Sequence, residues 1–162
     1  MAPSEPASPI EKHPLAGTRM SGADIVVQVL ADENVDTVFG YSGGAILPTY
    51  DAVFRYNDSH RGSDGKSPMS LIVPANEQGA GFMAAGYALA KGQVGVVMVT
   101  SGPGATNTVT PVRDCMADST PIVVICGQVP KAAIGTDAFQ EAPVSSCLGP
   151  VSKHTFLVTD PE

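Results

Sequence analysis

The chain is poor in the residues that stack on bases, bridge loops and chelate metals. It has no tryptophan, and aromatic residues make up only 6% of its 162 positions. No basic patch with interleaved aromatics occurs, and a formal net charge of −7 opposes binding to nucleic acid or to an anionic membrane. No apolar run reaches the roughly 18–20 residues that a membrane-spanning helix needs. The three cysteines, Cys115, Cys126 and Cys147, show neither CxxC nor Cys/His spacing. Scattered thiols in odd number suit a reducing compartment, so the expected location is cytoplasmic. No GxxxxGK[ST] is present, nor a GxGxxG with a ribose-binding acid at the proper distance. No Ser/His/Asp arrangement stands out: His13 lies near the start, His60 in a polar stretch, and His154 before an apolar segment, where it reads as structural.

What is present is a core. Hydrophobic residues make up 43% of the chain, enough for one soluble domain of ordinary size. Residues 1–18 read as a disordered tail, because Pro3, Pro6, Pro9 and Pro14 interrupt any helix. The tail lacks a secretory apolar segment. Its Glu5 and Glu11, with no Arg before Arg19, also argue against a transit peptide.

From residue 19 to 162 helix and strand signals alternate. Ser21 is a candidate N-cap before Ile25, Val26, Val29 and Leu30 at helical spacing. A strand is expected at 37–41, a helix at 45–56 with Pro48 near its first turn, and a polar surface loop at 57–68. Strands then fall at 69–73, 94–100 and 122–127, and helices at 77–91 and 105–118. A short helix near 144–147 and a last strand near 155–159 close the pattern. Such alternation predicts a doubly wound, mostly parallel sheet with helices on both faces. The near-continuous apolar strands agree with burial on both sides.

The loops after these strands hold the candidate site. They are Tyr41-Ser42-Gly43-Gly44-Ala45, Ser101-Gly102-Pro103-Gly104-Ala105-Thr106-Asn107, and Gly127-Gln128-Val129-Pro130. A fourth, Val73-Pro74-Ala75-Asn76-Glu77-Gln78-Gly79, puts Glu77 at the start of a small-residue helix. A lone Glu there is explained by the helix dipole alone, at about 0.3–1 kcal/mol. In an open α/β sheet, however, loops at the carboxyl ends of strands line the ligand crevice. Glycines in those loops let backbone approach a flat ring; a tight turn with close packing explains them equally well.

These loops, together with Ile134-Gly135-Thr136-Asp137-Ala138-Phe139-Gln140-Glu141, resemble the amino-terminal pyrimidine-binding domain of thiamine-diphosphate enzymes, most of all acetolactate synthase catalytic subunits. The resemblance runs from about residue 21 to the end. It implies that Glu77 is catalytic, promoting the imino tautomer of the cofactor's aminopyrimidine so that the thiazolium C2 can lose its proton. It further implies that Tyr41, Gly43, Gly44, Glu77, Pro103, Asn107 and Gln140 line the pyrimidine end of the cofactor. Phe139 and Gln140 would border the substrate side. No metal ligand is expected here: the family holds Mg²⁺ through a Gly-Asp-Gly…Asn motif in its diphosphate-binding domain. The only comparable pairing in this chain is Ser63-Asp64-Gly65, in the polar loop.

The implied activity is condensation of pyruvate with a second 2-oxo acid, a transferase step of branched-chain amino-acid biosynthesis. The family's central and diphosphate-binding domains are missing, so the chain reads as a fragment and is expected to be inactive alone. The implied partners are a second copy or a chain carrying the diphosphate-binding domain, with a regulatory subunit also admitted; FAD would concern the full-length enzyme only. Two alternatives stay open: one chain of a split 2-oxo acid decarboxylase, and a non-enzymatic binding or dimerisation module. Ser42 and Asn76 depart from the family pattern, which has Pro and His at those positions. The Asn removes a neighbour that could tune Glu77.

Overall fold

A computed structural model describes residues 12–160. Helix α1 (Gly22–Asp32) begins at Ser21, whose hydroxyl accepts a hydrogen bond from the Asp24 amide at 3.2 Å. It buries Val27 and Leu30 on one face. Strand β1 (Thr37–Tyr41) buries Val38, Phe39 and Gly40. A 3-10 turn (Gly44–Ile46) then leads into α2 (Leu47–Ser59), where Pro48 occupies the first turn, a position at which its missing N–H is harmless.

Strand β2 (Ser70–Ile72) precedes α3 (Glu77–Lys91), and β3 (Gly95–Val99) precedes α4 (Pro103–Thr106) and α5 (Val109–Asp118). Strand β4 (Ile122–Cys126) leads to an irregular segment carrying α6 (Val144–Leu148), with 3-10 turns on either side of that helix. The four strands form one parallel sheet in the order β2-β1-β3-β4.

Alternate side chains of the central strands fill two cores. On one face Val38, Val96 and Met98 meet Val27 and Leu30 of α1, Ile46 of the 3-10 turn, and Tyr50 and Val53 of α2. On the other, Phe39, Val97 and Val99 meet Ala80 and Ala84 of α3. Full burial of such side chains stabilises by about 1.5–3 kcal/mol each, before entropy is counted. Small residues let α3 lie close to the sheet, and α5 packs beside it.

The chain leaves β1 for α2 on the first face and leaves β3 for α5 on the second. Neighbouring strands whose helices diverge to opposite faces open a crevice at their carboxyl ends. This parallel, two-faced arrangement matches the doubly wound reading.

Several boundaries differ from the sequence reading. The polar segment 57–68 is not all loop: α2 runs through Ser59, and Asn57 is buried, donating to the Met69 carbonyl at 2.7 Å and accepting from its amide at 3.0 Å. The helix expected at 105–118 is two helices that start earlier. Pro111 lacks an N–H and its ring would crowd the Asn107 carbonyl, so the helix breaks between Thr106 and Val109. The strand expected at 155–159 does not form. The segment pairs with neither edge of the sheet, β2 or β4, and Phe156 stands 83% exposed. Of the expected tail, residues 1–11 lie outside the described residues. Residues 14–17 form turns, and the His13 Nε2 lies 3.1 Å from Asp32.

Candidate functional site

Glu77 is the first residue of α3 and is buried, with 8% of its surface exposed. Asn76 holds that start in place: its side-chain oxygen accepts from the Gly79 amide at 2.7 Å, an N-cap bond. The Asn76 side chain therefore faces the helix amides. The protein donor to Glu77 comes instead from Asn107, whose Nδ2 lies 3.0 Å from Glu77 Oε2. Asn107 is the C-cap of α4, at the break before α5. That break is what turns it toward Glu77.

Glu77 Oε1 has no hydrogen-bond donor among the described residues, yet no side-chain oxygen there is sealed from solvent without a partner. One carboxylate oxygen is thus anchored, while the other has no protein donor among these residues and keeps some contact with solvent. A Cβ on Gly104 would lie 3.4 Å from Oε1. The charge also reaches inward. The Tyr50 hydroxyl, donating to the Met98 carbonyl at 3.0 Å, is pushed up to about 12, first by its burial and then by the Glu77 carboxylate.

The loops close on one another through Thr100, a buried residue that pattern reading had not singled out. Its hydroxyl accepts from the Ala45 amide at 3.3 Å, tying the β1 loop to the β3 loop. Its methyl and Cβ fill the space a side chain would need at Gly43, where an added Cβ would come within 2.5 Å. A Cβ at Gly102 (φ +49°) would lie 2.2 Å from the Gln140 carbonyl oxygen, so the Phe139-Gln140 turn rests directly on the glycine loop. Gly44 has open space beside it.

Glu77, Asn107, Pro103 and Gly104 therefore form one cluster, and Gly43 and Gln140 are brought against the same β3 loop. Tyr41 ends β1, paired in register with Val99 and 37% exposed. Phe139 projects from the surface, 89% exposed, without joining the Glu77 cluster. A polar cleft of about 280 Å³ is lined by Asn76, Gln78, Thr106, Asn107 and Thr110, and Glu77 is not part of its wall. No group of three or more His, Cys, Asp or Glu suited to a metal occurs among the described residues.

Fold and site together define a doubly wound α/β domain with a buried carboxylate at its strand-end crevice. The chain belongs to the family described as thiamine pyrophosphate enzyme, N-terminal TPP binding domain, which it matches over residues 20–146. It is 50% identical over 143 residues to the mitochondrial acetolactate synthase catalytic subunit of Saccharomyces cerevisiae, covering 88% of this chain and 19% of that protein. It is 47% identical over 146 residues to the acetolactate synthase large subunit of Corynebacterium glutamicum, covering 90% and 22%. Acetolactate synthase of Mycobacterium bovis is 49% identical over 140 residues, covering 86% and 21%. The chain spans about a fifth of the length of these relatives. No helix among the described residues is long and apolar enough to cross a membrane.

Proposed function

We propose that this chain binds the aminopyrimidine half of thiamine diphosphate as part of an acetolactate-synthase-type transferase. The observation that carries the reading is the asymmetry of Glu77: Oε2 is held by Asn107, while Oε1, on the Gly104 side, has no protein donor among the described residues and is not sealed from solvent. An acceptor fixed in this way suits the N–H that the pyrimidine N1′ presents in the imino tautomer. The glycines keep the two loops closely packed, since neither Gly43 nor Gly104 could carry a Cβ without pressing on Thr100.

Bound there, the cofactor would supply the carbanion chemistry that joins pyruvate to a second 2-oxo acid, the step that opens branched-chain amino-acid biosynthesis. This chain's part is to hold and exchange the proton at Glu77 Oε1, to exclude side chains from the ring faces, and to set Gln140 and Phe139 at the substrate side. Tyr41, Pro103 and Asn107 complete the pyrimidine wall. In this reading Mg²⁺ and the diphosphate are held by another domain, in a second copy or a partner chain. FAD and a regulatory subunit belong to that larger assembly. A reducing compartment suits its free thiols; this is the cytoplasm in our reading, although the yeast relative is named as mitochondrial.

The test is titration of thiamine diphosphate with Mg²⁺ into the 162-residue chain, followed by calorimetry and by amide resonances, beside Glu77→Gln. Weak binding that shifts Asn107 and Gln140 is expected, with no pyruvate consumption. Glu77→Gln should weaken binding about tenfold or more, the usual effect of losing a hydrogen bond to a charged acceptor. Equal binding by both proteins would remove Glu77 from the site. Turnover by the chain alone would show that the site needs no second domain.

A further inference from the structure

The segment between β4 and α6 has little core of its own. Of residues 131–143 none is buried, yet the chain there is held in an uncommon shape. Asp137 and Gln140 both adopt left-handed backbone at φ +57°, and Gly135 does so at +85°. Aspartate takes that conformation readily, but for glutamine it is uncommon and marks a turn held by its surroundings. Gln140 occupies the third position of a turn closed by the Glu141 amide donating to the Ala138 carbonyl at 2.9 Å.

What imposes the shape is the next side chain. The Glu141 carboxylate turns back over the turn and accepts from the Ala138 amide at 3.0 Å and from the Gly135 amide. Ala138 and Glu141 thus bond each other twice, amide to carbonyl and amide to carboxylate. Charged acceptors gripped by successive backbone amides are strong and directional. The amides of Gly135, Ala138, Thr136 and Asp137, Gly135 first, hold the Glu141 carboxyl below its ordinary value.

We propose that Glu141 is a positioning residue of the site: its carboxylate, clasped by the Gly135 and Ala138 amides, fixes the Phe139-Gln140 turn against Gly102. The proposal rests on the reading of the crevice as the pyrimidine site. Glu141 itself touches neither the ring nor substrate. It acts through Gln140, whose carbonyl packs on the loop that also carries Pro103 and Gly104.

The experiment uses the whole chain and its Glu141→Ala and Glu141→Gln variants, followed by amide hydrogen exchange. In Glu141→Ala, exchange at Gly135 and Ala138 is expected to rise about tenfold or more while β1 and β3 stay protected. Glu141→Gln, which keeps an acceptor oxygen, should recover part of the protection. Unchanged exchange at these two amides would overturn the proposal, and so would a uniform rise across the sheet, the mark of an ordinary stability residue. Thiamine diphosphate with Mg²⁺ is then titrated into the same proteins. Affinity should fall in Glu141→Ala and recover in part in Glu141→Gln, in step with the exchange at Gly135 and Ala138. Local loosening with intact affinity would overturn the positioning role and leave the site reading standing. Absence of binding by the parent chain would overturn both.

Discussion

At the scale of single residues, the site depends on what each oxygen of Glu77 is given. A buried carboxylate without donors costs several kcal/mol, which limits how such a group can be kept. Asn107 satisfies Oε2 and thereby aims Oε1. Asn107→Ala should lower unfolding free energy by about 1–3 kcal/mol, because it strands a buried charged acceptor. Glu77→Gln should change it by less than about 1 kcal/mol, since an amide oxygen can still accept from Asn107. Urea denaturation of the two variants checks the contrast; a larger loss for Glu77→Gln would show that the carboxylate is structural. Glu77 was legible from its place between an apolar strand and a small-residue helix. Its bond to Asn107, thirty residues on, was not, because it depends on a helix break that brings two loops together.

Among the elements, α3 is the one that carries the site, and its glycines have opposite meanings. A Cβ on Gly81 would lie 2.3 Å from Pro111 Cγ, a rigid ring atom of α5. Gly81→Ala should therefore destabilise by about 1–3 kcal/mol, as overpacked contacts do. Gly86, in the same helix, is exposed with no atom within 4 Å of an added Cβ. Gly86→Ala should stabilise by about 0.5–1 kcal/mol through helix propensity alone. Thermal melts of the pair decide it, and a shared sign would mean that α3 and α5 do not pack as closely as described. The bounds of α3, Glu77–Lys91, were readable from small-residue composition and from Gly92, which stops the helix at φ +69°. The split into α4 and α5 was not read, although Pro111 was its signal. Nor was the buried Asn57, whose value comes from meeting Met69 across the loop.

For the whole molecule, the far end of α3 is tied to the start of β1 by Asp36. Its carboxylate accepts from Lys91 and, at 2.6 Å, from the Tyr87 hydroxyl, which together hold it down to about 2 against an ordinary 3.8, Lys91 contributing most. A carboxyl depressed in the folded state contributes stability that is present above its unfolded value. That stability is lost as pH falls from about 3.8 toward 2. Melting temperature should thus drop more steeply over this window in the parent than in Asp36→Asn. The difference should shrink in added salt, because half of the Asp36 side chain is in solvent. Parallel acid titrations of both proteins would refute the tie.

The sequence by itself determined the class of fold, the order of its elements, and the candidate carboxylate. Those follow from local patterns: apolar runs between turn residues, a cap before a helix, small residues along it. Only the tertiary structure decided which atoms meet. Thr100 reaches under two loops, Gly102 receives the Gln140 carbonyl, and Asn107 takes one oxygen of Glu77 and leaves the other without a protein donor among the described residues. It also decided against a strand at 155–159, where the apolar pattern was adequate but the segment pairs with neither edge of the sheet. Periodicity reports how a segment divides itself between water and core. Contacts between segments depend on where the sheet brings their ends, and a single segment carries no record of that.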